Sequence, residues 1–191
     1  MQSLDKLNII LLDEKPSKLI KENENYMFDL IPELERCKGF NQHNPWHPYD
    51  IYEHTLRVVD GVEDDYILRM SALFHDTGKV ETFHLDKDGV GHFYNHWAIS
   101  KTIFDKFCKK NNIIKDEIYH SISRLIFYHD INIDKLTEKE LASLVHLLGY
   151  DDVIRLFKIK RADLLAQAEQ YHYLLEDYDR QEEMILKKIS K

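Results

Sequence analysis

The sequence predicts an all-α fold, one compact bundle of about eight helices carrying a small β-hairpin near residues 82–94. Three observations predict it. Apolar residues recur mostly at intervals of three and four, the spacing that lines one face of a helix. Glycine and proline are scarce, 6 and 4 in 191 residues, so few breakers interrupt those stretches. The chain is 43% apolar and 12% aromatic, enough to fill a core without disulfides.

The elements follow in order. Two helices fall at about 3–12 and 24–37, the second closing before Gly39, a residue suited to a helix end. A third starts at Pro48-Tyr49-Asp50, with Glu53 placed to complete a capping box, and ends near Gly61. A fourth runs from about Asp64 to Asp76 and stops at Gly78. From Thr82 to Tyr94 the periodicity breaks: Phe83 and Leu85 alternate with polar residues, and Asp88-Gly89 makes a turn, hence the hairpin. Helices resume after Asn95 as N-cap, from Asp116, from Thr137 with Glu140, and from Asp151 or Asp152. The last stretch, 151–189, is expected to break near Glu176 to Asp179.

Charge and composition exclude several functions. With 26 basic and 34 acidic residues the net charge is −8, a field that repels phosphate backbones, so general nucleic-acid binding is not expected. No apolar run approaches a membrane span. The opening MQSLDKLNII lacks the features of a signal peptide, so a cytoplasmic address is expected. Two cysteines, Cys37 and Cys108, are too few for a Cys-rich zinc site.

Eleven histidines are the unusual component, and several lie where an apolar residue belongs. His54 follows Ile51 by three and precedes Val58 by four. His75 continues the line Leu68, Ala72. His96 heads Ile99, Ile103, Phe107, and His129 ends Ile118, Ile122, Ile126. Asp163 sits within Leu156, Ile159, Ala166. One such residue is ordinarily satisfied by a backbone carbonyl or an arginine. Five in one helical domain point to a metal, because converging imidazoles and carboxylates are costly to bury otherwise. In His75-Asp76 the helix is about to end at Gly78, so the last turn can swing both side chains to one point, and Asp76 has two oxygens to share between ions.

At these residues the sequence resembles a family. His54, His75-Asp76 and the late Asp163 match the signature of the HD metal-dependent phosphohydrolase superfamily. The surrounding words, Asn44-Pro45-Trp46-His47-Pro48-Tyr49-Asp50, Glu53-His54-Thr55-Leu56-Arg57-Val58-Val59, His75-Asp76-Thr77-Gly78-Lys79, Gly91-His92-Phe93-Tyr94 and Arg161-Ala162-Asp163, are similar to the HD domain of bacterial tRNA nucleotidyltransferases and poly(A) polymerases. The resemblance covers about 42–167, leaving a helical extension at 1–41 and a C-terminal helix at 168–191; no linker divides the chain, so it reads as a single HD domain. The nucleotidyltransferase head has no counterpart before Gln42, so addition of nucleotides to tRNA is not expected. Where relatives read Gly-His-Glu this chain has Asn95-His96-Trp97, keeping the histidine and losing the acid.

The resemblance implies that His54, His75, Asp76 and Asp163 hold a first divalent ion, and that His96 and His129 join Asp76 around a second. Fe, Mn, Ni, Co and Zn all suit such a His/Asp set. It implies hydrolysis of a small phosphorylated substrate, a nucleotide or related phosphoester, by a metal-activated water. Lys79 is expected at the mouth of the site, either as a phosphate contact or as a solvated lysine, and Arg57 is a further substrate contact. Asp130 reads as a loop residue or an orienting carboxylate, and Trp46 with His47 as packing or a base contact. Two other readings keep the metal: a regulatory or accessory domain in which the ion is a structural clasp, and a di-iron oxygenase.

Overall fold

A computed structural model describes residues 4–189. The expected helix start at Ser3 and the last two residues of the expected C-terminal helix fall outside them. An N-terminal group comprises α1 (Leu4–Leu11), α2 (Pro16–Glu22), α3 (Glu24–Leu30) and α4 (Pro32–Cys37). The centre contains α5 (Ile51–Gly61), α6 (Tyr66–Phe74) and the short α7 (Lys79–Thr82). The antiparallel hairpin β1 (His84–Leu85) and β2 (Gly91–His92) follows. Then come α8 (His96–Lys110), α9 (Glu117–Tyr128), α10 (Glu138–Leu148), α11 (Tyr150–Leu165) and α12 (Leu175–Ile189), with 3-10 turns at Ile133–Lys135 and Glu169–Leu174.

The all-α expectation holds, and the hairpin lies where the alternation placed it. The helices are more numerous and shorter than about eight. The segment 24–37 is two helices because Pro32 has no N–H to continue the ladder and holds Ile31 extended, at φ −132° and ψ 80°. A helix over Pro16–Glu22, with proline in its first turn, has no counterpart in the expected elements. The break in the last stretch comes at residues 166–174, ahead of Glu176. Tertiary contact decides it: the Ala168 N–H donates to the Trp46 carbonyl at 3.0 Å, and Tyr171 stacks on Trp46 with ring centres 3.4 Å apart. The next helix back starts at Tyr150, so Asp152 is not its cap. Buried instead, Asp152 accepts from Ser121, from Arg124 at 2.7 Å and from Arg155 at 3.1 Å.

The caps of α9 and α10 are as expected: Asp116 accepts from Tyr119, and Thr137 with Glu140 closes a capping box. At α5 half of the expected box forms: Asp50 accepts from the Glu53 N–H at 2.7 Å, while the Glu53 carboxylate accepts from Lys21 Nζ at 3.0 Å. Asn95 precedes α8 but makes no side-chain cap bond; it stands in the left-handed region at φ 62°.

The core forms where α5 packs on α6 and α11, and α9 packs on α6 and α8. Leu56, Val58, Leu73, Phe74, Ile126, Leu156 and Phe157 are buried there, and Phe74 meets Phe104 and Phe107 edge-on or tilted at 5.3 and 5.1 Å. A fully buried side chain of this size contributes about 1.5–3 kcal/mol, so this junction is the rigid frame of the molecule. Five of the unusual polar residues project into the same junction. Among the described residues, no helix is long and apolar enough to cross a membrane.

Candidate metal centre

Five helices bring one ligand group each. The Asp50 cap starts α5 so that His54 falls on its second turn, facing α11. α6 ends at Phe74, and His75 and Asp76 occupy the turn after it, as the terminal position of this pair predicted. His96 opens α8, His129 closes α9, and Asp163 lies in the last turn of α11. Gly78 permits the closest of these approaches. A Cβ there would stand 2.4 Å from the His96 carbonyl oxygen and 2.6 Å from the Ser100 nitrogen, so only glycine lets the start of α8 reach Asp76. The Gly78 N–H donates to Ser100 Oγ at 2.9 Å across this contact.

Asp76 is the hub. Its Oδ2 lies 3.4 Å from His54 Nε2 and 3.2 Å from His75 Nε2; its Oδ1 lies 3.2 Å from His96 Nε2 and 3.6 Å from His129 Nε2. Asp163 Oδ1 stands 2.9 Å from His54 Nε2, and its side chain remains 18% exposed, at the edge of the cluster. His96 Nε2 and His129 Nε2 are 3.0 Å apart.

The far nitrogens explain this arrangement. The Nδ1–H of His75 donates to the Ala72 carbonyl at 2.7 Å, that of His96 to Phe93 at 2.9 Å, and that of His129 to Ile126 at 2.7 Å; His54 Nδ1 faces the Ala166 carbonyl at 3.4 Å. A nitrogen facing a carbonyl carries a proton, so in the neutral tautomer each Nε2 presents its lone pair to the cluster. Those lone pairs converge on carboxylate oxygens and on one another, and the Nε2 atoms of His54 and His75 are buried without a hydrogen-bond partner. The Lys79 ammonium reaches only Asp76 Oδ2, so these nitrogens remain open to a metal ion. Backbone-held imidazoles aimed at a carboxylate are also how proteins orient metal ligands.

Spacing supports the same conclusion. Donors about 2.1 Å from a common ion stand roughly 3.0–3.4 Å apart, close to the separations on both sides of Asp76. His54, His75 and Asp76 form one group able to hold an ion, and Asp76, His96 and His129 form another. The donor set therefore fits two divalent ions sharing Asp76.

Local charge favours ligation. Burial pushes the Asp76 carboxyl up, but His75, the Lys79 ammonium and hydrogen bonds from the imidazoles outweigh it and hold the group well below the usual carboxylate range. Asp163 likewise is raised by burial and brought down further by His54 and His75. Burial and the neighbouring His96 and His75 lower His129. Carboxylates thus stay anionic, while His129 is favoured as the neutral imidazole a metal needs.

A cavity of about 390 Å³ opens over the cluster and reaches Asp76, Lys79, His96, His129, Asp163 and Trp97. All six expected ligands are brought together. Lys79 departs from expectation. It is buried rather than at the mouth, because α7 turns its first residue inward; its Nζ lies 2.7 Å from Asp76 Oδ2 and donates to Gln42 Oε1 at 3.0 Å. Arg57 faces solvent with its guanidinium 3.9 Å over the Tyr49 ring and does not line the cavity; on α5 it is Val58 that continues the buried face. Asp130 is exposed and lines the rim.

Three residues escaped the sequence reading. Lys160 is buried and donates from Nζ to the His129 carbonyl at 2.8 Å, fixing the end of α9. Its position in the apolar run Val153, Leu156, Phe157, Lys160, Leu164 was the available signal. Gln167 Nε2 reaches Asp163 Oδ1 at 3.3 Å, and Gln42 holds Lys79. Neither lies in a periodic segment, so no pattern marks them. His47 lines the cavity, edge-on to His54 at 5.3 Å, with a buried Nδ1 lacking a partner.

No curated protein matches the sequence. A family model, described as HD domain, matches residues 47–168, which contain every one of the six ligand positions. With that match spanning more than half of the sequence and the His/Asp cluster at its centre, the chain belongs to the HD-domain family of metal-dependent phosphohydrolases.

Proposed function

We propose that the chain is a phosphohydrolase acting on a small nucleotide or related phosphoester, with two divalent ions held by His54, His75, Asp163 and Asp76 on one side and by Asp76, His96 and His129 on the other. The observation that carries this reading is Asp76, each of whose oxygens faces its own pair of imidazole Nε2 atoms. Ions bound there supply Lewis acidity toward phosphoryl oxygens and acidify a water near neutral pH.

The chain's own residues do the remaining work. Lys79 offers an ammonium at the cavity floor for a phosphoryl oxygen, and Gln42 sets its direction. His47 is pushed down to about 2 by burial and by the charges of Lys79 and His54, so it stays neutral and can hydrogen-bond to substrate without adding charge. Trp97 stands beside His96 in the cavity wall, edge-on to Phe127 at 4.4 Å, and gives an aromatic surface to a base. The net charge of −8 favours a small substrate drawn to a local cation over an extended phosphate backbone.

The test is metal analysis of the purified protein followed by a phosphoester panel with the metal found. The similarity of the flanking motifs to the nucleotidyltransferase HD domain puts 2′,3′-cyclic phosphodiesters, 2′-nucleotides and simple monoesters first. Phosphate or alcohol release that follows metal content supports the reading. Full metal occupancy without turnover over the panel would indicate a binding domain instead.

A further inference from the structure

The cluster lies beside not one space but two. A second cavity, of about 460 Å³, adjoins the one above Asp76, and His47, Asp130, Asp163 and Gln167 line both. Its far wall includes Trp46, Leu174 and Tyr178. Each space is of the size that takes a small organic group. Asp163, one of the ligands, thus stands on the partition between them.

A monoester needs room on one side of its phosphorus, because three of the four substituents are bare oxygens. A diester carries two organic groups that diverge from phosphorus and needs two. Both spaces also present aromatic side chains, Tyr94 and Trp97 in the first and Trp46 and Tyr178 in the second.

We infer that the substrate is an acyclic phosphodiester with an organic group in each cavity, an inference that rests on the hydrolase reading above. Water oxygen forms the new bond to phosphorus as the bond to the leaving oxygen breaks. One water proton ends on the departing alcohol and the other on the monoester product or its solvent.

The experiment uses the full chain loaded with Mn and three synthetic esters that share one leaving group: 4-nitrophenyl phosphate, methyl 4-nitrophenyl phosphate and phenyl 4-nitrophenyl phosphate. The phenyl diester is expected to surpass the methyl diester in kcat/KM by about tenfold, the order of one ring stacked on an aromatic wall, and to surpass the monoester. Asn132 is exposed and lines only the second cavity. Asn132→Trp narrows that space and should shrink the advantage of phenyl over methyl, while circular dichroism checks its fold. A monoester cleaved as fast as both diesters, or a phenyl advantage undiminished by Asn132→Trp, overturns the inference and leaves the hydrolase reading standing. No nitrophenol from any ester by the metal-loaded protein overturns both.

Discussion

Gly78→Ala tests the close approach on which the two-sided cluster depends. The new Cβ would meet three atoms at once: the His96 oxygen at 2.4 Å, the Ser100 nitrogen at 2.6 Å and Ile99 Cβ at 2.9 Å. Ordinary contacts begin near 3.4 Å, so the first turn of α8 must retreat by roughly 1 Å. Two of the three obstacles are backbone, which cannot rotate aside. Overpacking of this kind costs about 1–3 kcal/mol, and the rigid obstacles put this case near the upper end. For a chain of this length about 3 kcal/mol lowers Tm by roughly 6–12 °C. The same retreat carries His96 away from Asp76 Oδ1, now 3.2 Å distant, and a displacement near 1 Å can cost about 10²-fold in rate. Thermal melts and metal analysis therefore report together: a lower Tm, one ion retained by His54, His75 and Asp163, and weakened binding of the other. A variant with wild-type Tm and two tightly held ions would refute the argument that backbone proximity is what requires glycine here.

Three further outcomes are expected. Asp76→Ala removes the ligand shared by both groups, so metal content should fall on both sides and turnover should vanish; wild-type activity in this variant would show that the site is elsewhere. Removing metal with a chelator should lower Tm by roughly 5–10 °C, since an ion present at 100 times its Kd adds about 2.7 kcal/mol to the folded state; differential scanning calorimetry before and after confirmed removal reads it. His96→Ala and His129→Ala should each leave about one ion per chain with a steep loss of turnover, a transition-state effect of about several kcal/mol. Equal metal counts in wild type and both variants would mean that the pair is only structural.

The ligands were legible in sequence because helical periodicity is strict. His54, His75, His96, His129 and Asp163 each occupy a position that packing reserves for an apolar side chain, and burial confirms the position in the four histidines. Asp76 was legible from the helix end beside it. The same logic covers Lys160, whose buried place in the α11 stripe was open to the same reading. It fails for Gln42, His47 and Gln167, which sit in loops or turns where side-chain direction follows from distant contacts rather than from a repeat. Lys79 shows the limit differently: its nearness to the motif was readable, but its inward turn comes from α7, four residues long and too short to leave a periodic trace. The break at 166–174 was misplaced for a related reason. It is set by Trp46, more than a hundred residues earlier in the chain.

The pairing of His54 with Asp163 has a consequence for the order in which the site is made. Synthesis runs at about 5–20 residues per second, so the 87 residues from Asp76 to Asp163 (163 − 76) take about 4–17 s to emerge. Throughout that interval His54, His75 and Asp76 have been synthesised without the carboxylate that lies 2.9 Å from His54 in the finished molecule. An ion captured early would be held by an open half-site exposed to exchange with the cell's metal pool. Docking of α11 would close it, so the ion kept would be selected late, when the final third of the polypeptide folds back. Ribosome-bound chains stalled soon after Asp76 should therefore exchange metal rapidly, and chains stalled well beyond Asp163 slowly.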